Sequence, residues 1–142
     1  MIFVLPDGRR LVDLPGYGYA KVPEAVRTQW REALEHYLAR RRSLRALALV
    51  MDIRHPLTPF DQQMLAFCAA HALPCHVLLT KADKLGRGQT AQTLLAVQRE
   101  LTRLGGVLSA QVFSATAGTG VETARGALMK LLGGSPRELA AR

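Results

Sequence analysis

The 142-residue chain has no apolar run approaching the roughly 20 residues that a membrane-crossing helix needs. Its longest apolar stretch, Leu44 to Ile53, is broken by Arg45 and Asp52. The opening Met1-Ile2-Phe3-Val4-Leu5-Pro6 lacks the basic flank and the length of a secretory signal, so a cytoplasmic chain is expected. Cysteine is scarce: Cys68 and Cys75 are the whole complement, and they lack metal-motif spacing. His36, His55, His71 and His76 do not assemble an obvious ligand set around them. His71 and His76 do flank Cys75, which leaves a chance metal site as the alternative to the preferred reading of two buried thiols. There is no internal repeat and no low-complexity segment. The length suits one domain with one core.

What is present is an ordinary globular balance, with 49% hydrophobic and 21% charged residues. The net charge of +8 suits a polyanionic partner, nucleic acid first among them. Many basic proteins bind none, so charge alone does not decide.

Hydrophobic patterning alternates strands with helices. Ile2 to Leu5 and Arg10 to Asp13 read as a hairpin across Pro6-Asp7-Gly8. A helix follows Pro23, with Val26, Trp30, Ala33, Leu34, Tyr37 and Leu38 on one face. Leu44 to Met51 is a continuous apolar run, as in a strand covered on both sides. Thr58-Pro59 opens a second helix with proline at its first position and Phe60, Met64, Phe67 and Cys68 inward. His76 to Leu79 is a buried strand, Thr90 to Leu104 a helix stopped by Gly105-Gly106, Val107 to Phe113 a strand and Val121 to Leu132 a last helix. Residues 1–134 are thus expected to form the domain, and 135–142 a flexible, frayed tail. Such alternation implies a mainly parallel α/β sheet with helices on both faces, whose ligands bind at the carboxyl ends of strands.

Three loops at those ends carry chemistry. The first is Asp13-Leu14-Pro15-Gly16. A carboxylate there can hold Mg²⁺, and a glycine three residues later lets a backbone N–H approach a terminal phosphate. The same four residues also suit a plain turn. The second is Thr80-Lys81-Ala82-Asp83. An aspartate at that point can accept two parallel hydrogen bonds from the ring N–H and exocyclic amine of guanine, a donor pair adenine does not offer. Lys81 can lay its aliphatic stem along the base. A solvated polar turn is the alternative. The third is Phe113-Ser114-Ala115-Thr116, where small residues let the Ala115 N–H reach the guanine carbonyl and Ser114 brace the loop. Each motif is weak alone; their order, each after a predicted strand, gives them weight.

These loops resemble the third, fourth and fifth signature motifs of translation-factor-type GTPases, within the EngB family of bacterial ribosome-assembly GTPases. The resemblance extends to Leu11-Val-Asp-Leu-Pro-Gly-Tyr-Gly-Tyr-Ala-Lys21, to Met51-Asp-Ile-Arg-His-Pro56 and to Leu78-Leu-Thr-Lys-Ala-Asp-Lys-Leu85, and runs from about Arg10 to about Leu132. It implies a three-layer P-loop NTPase fold, GTP or GDP as ligand, Mg²⁺ and slow hydrolysis. It also implies work on the large ribosomal subunit, with its rRNA and ribosomal proteins, a need for the protein in normal cell division and septation, and no membrane partner. By this match Asp13 and Gly16 serve Mg²⁺ and the γ-phosphate, while Thr80, Lys81, Asp83, Ser114 and Ala115 hold guanine, with Leu14, Pro15, Ala82 and Phe113 in the same loops. Tyr17 stands where many GTPases orient water with glutamine, which implies slow unaided hydrolysis; it and Tyr19 could equally be packed aromatics. Arg40-Arg41-Arg42 and Arg45 are candidates for rRNA phosphate contact, or simply cations at a helix end. Arg54 and His55 could be structural or part of a partner surface.

The sequence has no G-x-x-x-x-G-K-S/T, the loop whose N–H groups cradle phosphates. Gly86-Arg87-Gly88-Gln89-Thr90 lacks its spacing and lysine. In the family the first strand and the phosphate loop precede the point where this chain begins, so a longer, N-terminally extended GTPase is expected. That strand lies between those ending at Asp13 and near Met51, so two unpaired edges facing a gap are also expected, unless the remaining strands close it. The alternative function is a non-hydrolysing remnant that binds ribosomal RNA or protein through its basic surface.

Overall fold

A computed structural model describes residues 2–14, 23–133 and, for the backbone, 138–141. Its elements follow the expected alternation: β1 (Ile2–Val4), β2 (Arg10–Asp13), α1 (Glu24–Arg40), β3 (Leu44–Asp52), α2 (Pro59–Ala70), β4 (Cys75–Thr80), α3 (Arg87–Leu104), β5 (Leu108–Val112), α4 (Val121–Leu132) and β6 (Glu138–Ala141). Helix α3 begins three residues earlier than periodicity indicates, because Gly86 to Thr90 forms its cap and first turn, with Thr90 N–H bonded to the Gly86 carbonyl at 2.9 Å.

Local chemistry sets the helix starts. Thr58 Oγ1 accepts from Asp61 N–H at 3.2 Å, and the Asp61 carboxylate accepts from Thr58 N–H at 3.1 Å, which satisfies donors that the first turn of α2 leaves unpaired. Pro59 follows, where its missing N–H costs nothing. On α1 the inward face is carried by Leu34 and Leu38, with Trp30 tilted against Phe60 of α2 at 5.5 Å. Val26, grouped with that face by spacing, is instead exposed.

The sheet order is β1-β2-β6-β3-β4-β5, antiparallel at β1–β2 and parallel elsewhere. Side chains alternate across it. Leu47, Leu49 and Met51 of β3, with Cys75, Val77 and Leu79 of β4, join the buried residues of α1, α2 and α3 in one core. Ala46 faces the other way, against Leu132 of α4, with Leu128, Leu131, Leu5 and Leu11 packed around it. Helices therefore cover both faces. Arg9 clasps the hairpin to the end of α4 by donating to the Gly133 carbonyl at 2.9 Å.

One expectation changes here, and the alternative of a gap closed by the chain's own strands is met. The segment read as a frayed tail contains β6, and the anticipated gap between β2 and β3 is where β6 lies. Arg10 to Asp13 pair with Glu138 to Ala141, and Leu44 to Ala48 pair on the other side with a register shift between Leu44 and Ala46. A parallel slot in a covered sheet is filled because buried backbone groups need partners. The last strand of the chain supplies them.

This predicts that a chain ending at Arg137 loses the described strand pairing that joins β2 to β3. Several backbone hydrogen bonds at about 0.5–1.5 kcal/mol each put the cost at ~2–4 kcal/mol. Hydrogen exchange should show β1 and β2 amides deprotected while β4 and β5 stay protected. Unchanged exchange in β2 would refute the pairing.

Candidate functional site

The carboxyl ends of β3, β4 and β5 converge. Asp52 stands level with Thr80 in the β3–β4 register, and Thr80 Oγ1 donates to the Met51 carbonyl at 3.1 Å. The chain then turns through Lys81 in the left-handed region, φ 59°, into a short 3₁₀ turn over Ala82–Lys84. That conformation costs a non-glycine residue on the order of 1 kcal/mol and persists when neighbours over-determine it. They do: Ala82 N–H donates to the Phe113 carbonyl at 3.1 Å, Phe113 N–H to the Leu79 carbonyl at 2.9 Å, and Lys84 N–H to the Lys81 carbonyl at 2.9 Å. The loops after β4 and β5 are thereby laced together.

The side chains complete the link. Ser114 is fully buried, and its hydroxyl donates to Asp83 Oδ1 at 2.7 Å while accepting from Ala117 N–H at 3.1 Å. Ser114 N–H donates to the Thr119 carbonyl at 2.9 Å, folding residues 114–119 back on themselves. Asp83 itself is exposed, as is Ala115. The Ser114 hydroxyl, helped by the backbone and Lys84 and opposed by partial desolvation, holds the Asp83 carboxyl below its ordinary value, so it is an anion at neutral pH.

Sequence reasoning did not single out Asp52 as a site residue. Its carboxylate accepts from Arg54 at backbone N (2.9 Å), Nε (3.0 Å) and Nη2 (2.8 Å), and sits 3.5 Å from Lys81 Nζ. The Arg54 fork holds the Asp52 carboxyl far below the usual carboxylate range. Asp52 thus anchors the lysine beside Asp83, and Arg54 is a structural partner of that carboxylate. The available signal was a lone carboxylate ending a buried nine-residue strand.

A second unanticipated network lies on the α4 face of the sheet. His76 is buried and bonds Ser109 Oγ through Nδ1 and Gln111 Oε1 through Nε2, both at 2.7 Å. Gln111 then donates to the Gly120 carbonyl at 2.8 Å, fixing the end of the 114–120 loop. Gly120 has φ 75°, and a Cβ there would fall 2.2 Å from the Val112 carbonyl oxygen. These bonds point His76 away from Cys75, while His71 is engaged with the Phe67 carbonyl at 2.9 Å. Both thiols are buried; contact with Cys68, then burial, raises the Cys75 pKa. Among the described residues no cluster of three or more metal-ligating side chains occurs.

The other described candidates do not join this group. Pro15, Gly16 and Tyr17 lie outside the described residues. Asp13 ends β2, but the registers run Asp13 to Ala141 to Ala48, four residues short of Asp52. At about 3.3 Å per residue it is set back roughly 13 Å along the strands. Leu14 packs against the main core. Arg40, Arg41, Arg42 and Arg45 lie at the opposite, amino end of the parallel strands, where Arg41 stacks over Tyr37 at 5.0 Å.

Proteins of known sequence resemble the chain over most of its length. It is 54% identical over 120 residues to the "Probable GTP-binding protein EngB" of Aromatoleum aromaticum, covering 84% of this chain and 56% of that one. It is 48% identical over 134 residues to the protein of the same name in Xanthomonas oryzae pv. oryzae, covering 94% and 65%. The chain belongs to the EngB family. It spans somewhat over half the length of these EngB relatives. No family model matches it. The crystal structure of a probable GTP-binding protein engB superposes with TM-score 0.72 at 16% identity, over 93% of this chain and 82% of that one. Apo translation elongation factor SelB of Methanococcus maripaludis gives 0.68 at 20% identity, over 92% and 26%. At those identities the structures establish the P-loop GTPase fold for this EngB-family chain.

Replacing Ser114 with alanine should lower stability by ~1–2 kcal/mol, about 3–6 °C in Tm, because Asp83 and the Ala117 N–H lose a partner. The hydroxyl favours the ionised form, so its removal should raise the Asp83 carboxyl midpoint toward the ordinary value of about 3.9. Carbon-13 detected titration reads this directly; an unmoved midpoint would show that Ser114 does not hold Asp83.

Proposed function

We propose that this chain recognises guanine nucleotides through the loops after β4 and β5. The observation that carries the proposal is Asp83: an exposed carboxylate, pre-oriented by a buried serine at 2.7 Å, beside a lysine anchored by Asp52. One oxygen is occupied by Ser114, and the remaining lone pairs suit two parallel N–H donors, the pattern on the Watson–Crick edge of guanine. Ala115, exposed at the mouth of the 114–119 turn, supplies a backbone N–H for the base carbonyl, and Lys81 supplies the stem that covers its face.

The phosphate end is different. The sequence contains no phosphate-cradling glycine loop with its lysine. Asp13 is the one candidate for Mg²⁺, and its set-back register does not fit it to a phosphate held from the Asp83 loop. No hydrolytic step is therefore derived for this chain. In the longer family members we propose that the same base site serves a slow Mg²⁺-dependent GTPase of the cytoplasm, with Gly16 and Tyr17 in its switch. Assembly of the large ribosomal subunit, and through it cell division and septation, is the proposed role. The exposed Arg40, Arg42 and Arg45, at the end opposite Asp83, support a second reading in which the chain contacts ribosomal RNA or protein without nucleotide.

Titration with fluorescent GDP should show binding that GTP and guanosine displace and ATP does not. Because the base carries recognition, guanosine should compete within about threefold of GDP. Asp83→Ala should weaken binding at least tenfold, the loss of charge-assisted hydrogen bonds worth ~1.5–3 kcal/mol. Asp83→Asn should shift preference toward xanthosine diphosphate, since an amide pairs with one donor and one acceptor. Equal displacement by ATP, or no binding by the folded chain, would sink the base-site assignment.

A further inference from the structure

At the amino end of the parallel strands, opposite Asp83, the ends of α1, α2 and α4, the start of β3 and the segment leading into β4 line an open cleft of about 630 Å³. Its apolar wall includes Phe67, Leu73 and Leu131. Arg41, Arg45, Lys130 and His71 also line it, and no described carboxylate does. Cations at helix carboxyl ends complement the helix dipole, which accounts for Lys130 and Arg41. It does not account for Arg45, which lies on strand β3 rather than on a helix. Neither Arg45 nor Lys130 makes an ion pair among the described residues. His71 stacks on Phe67 at 4.1 Å and spends Nδ1 on the Phe67 carbonyl, leaving Nε2 as its remaining hydrogen-bonding atom.

We propose that this cleft is a second ligand site, for a small anionic amphiphile whose compact apolar body lies against Phe67 and Leu73 while its phosphate or carboxylate sits between Arg45 and Lys130. The volume falls within the roughly 300–1,000 Å³ of small-molecule sites, and an apolar wall with a few convergent charges is their usual make-up. Weakly hydrated arginine suits an oxyanion at the edge of an apolar surface. The site shares no residue with the guanine proposal, so either can fail alone.

The test is a titration of the ¹⁵N-labelled full chain with hexyl phosphate, hexanol and inorganic phosphate. Hexyl phosphate should shift amides within 38–45, 67–74 and 130–131 and bind at least tenfold more tightly than either partial probe. Saturating GDP should leave that affinity unchanged. Arg45→Glu with Lys130→Glu should cut hexyl phosphate affinity at least tenfold and spare hexanol; if charge reversal disturbs folding, Arg45→Gln with Lys130→Gln makes the same comparison. Shifts elsewhere, displacement by GDP, inorganic phosphate binding as well as hexyl phosphate, or full affinity in the double variant would each overturn the proposal.

Discussion

A strand covered on both faces can satisfy its backbone only through neighbouring strands, and β3 is such a strand, with Leu47 and Leu49 under one layer of helices and Ala46 under α4. Everything else in the architecture answers to that requirement. On one side β4 pairs with it from Leu47 to Asp52, and this sets the level at which Asp52, Thr80 and the Lys81 turn emerge. On the other side the requirement is met by Glu138 to Ala141, which also brings β2 and its hairpin into the sheet. The hairpin is held further by Leu5 and Leu11 against α4 and by Arg9 at its end.

The two sides of β3 have different consequences for chemistry. Toward β4 and β5 the strand ends are level and their loops share backbone hydrogen bonds, so small side chains are placed with little freedom. Ser114, wholly buried, meets Asp83 there, and Asp52 reaches Lys81. Toward β2 the short β6 sets a register that leaves Asp13 well below the other strand ends. The loops proposed to read a base are therefore held in fixed relation to one another, while Asp13 stands apart from them.

Charge is distributed along the strand direction in a similar way. The carboxylates Asp52 and Asp83 lie at the carboxyl end and are neutralised locally by Arg54, Lys81 and Lys84. The Arg40 to Arg45 cluster lies at the amino end beside Lys130 and the cleft, whose described lining includes no carboxylate. A chain with a net charge of +8 thus presents two chemically distinct ends.

Much of this was legible in the sequence. Period-two and period-3.6 patterning, Thr58-Pro59 and Gly105-Gly106 marked the strands and helices because those signals are local: side-chain alternation, capping and glycine's freedom act within a few residues. The order of Asp13, Asp83 and Ser114, each at the end of a strand, marked the family. What needed the tertiary structure was the set of relations between strands distant in sequence, the β1–β2 hairpin being local enough to read. That Glu138 to Ala141 would leave the tail and enter the centre of the sheet depends on an unfilled backbone ladder more than 85 residues away. That Asp52 grips Lys81, and that His76 and Gln111 secure the loop ending at Gly120, depends on register, which no local spacing encodes. The sequence by itself determined which segments become strands and helices, β6 excepted, and which residues stand at their ends. Only the packed sheet decided which of those ends meet, because parallel neighbours are chosen by burial and backbone pairing over long separations.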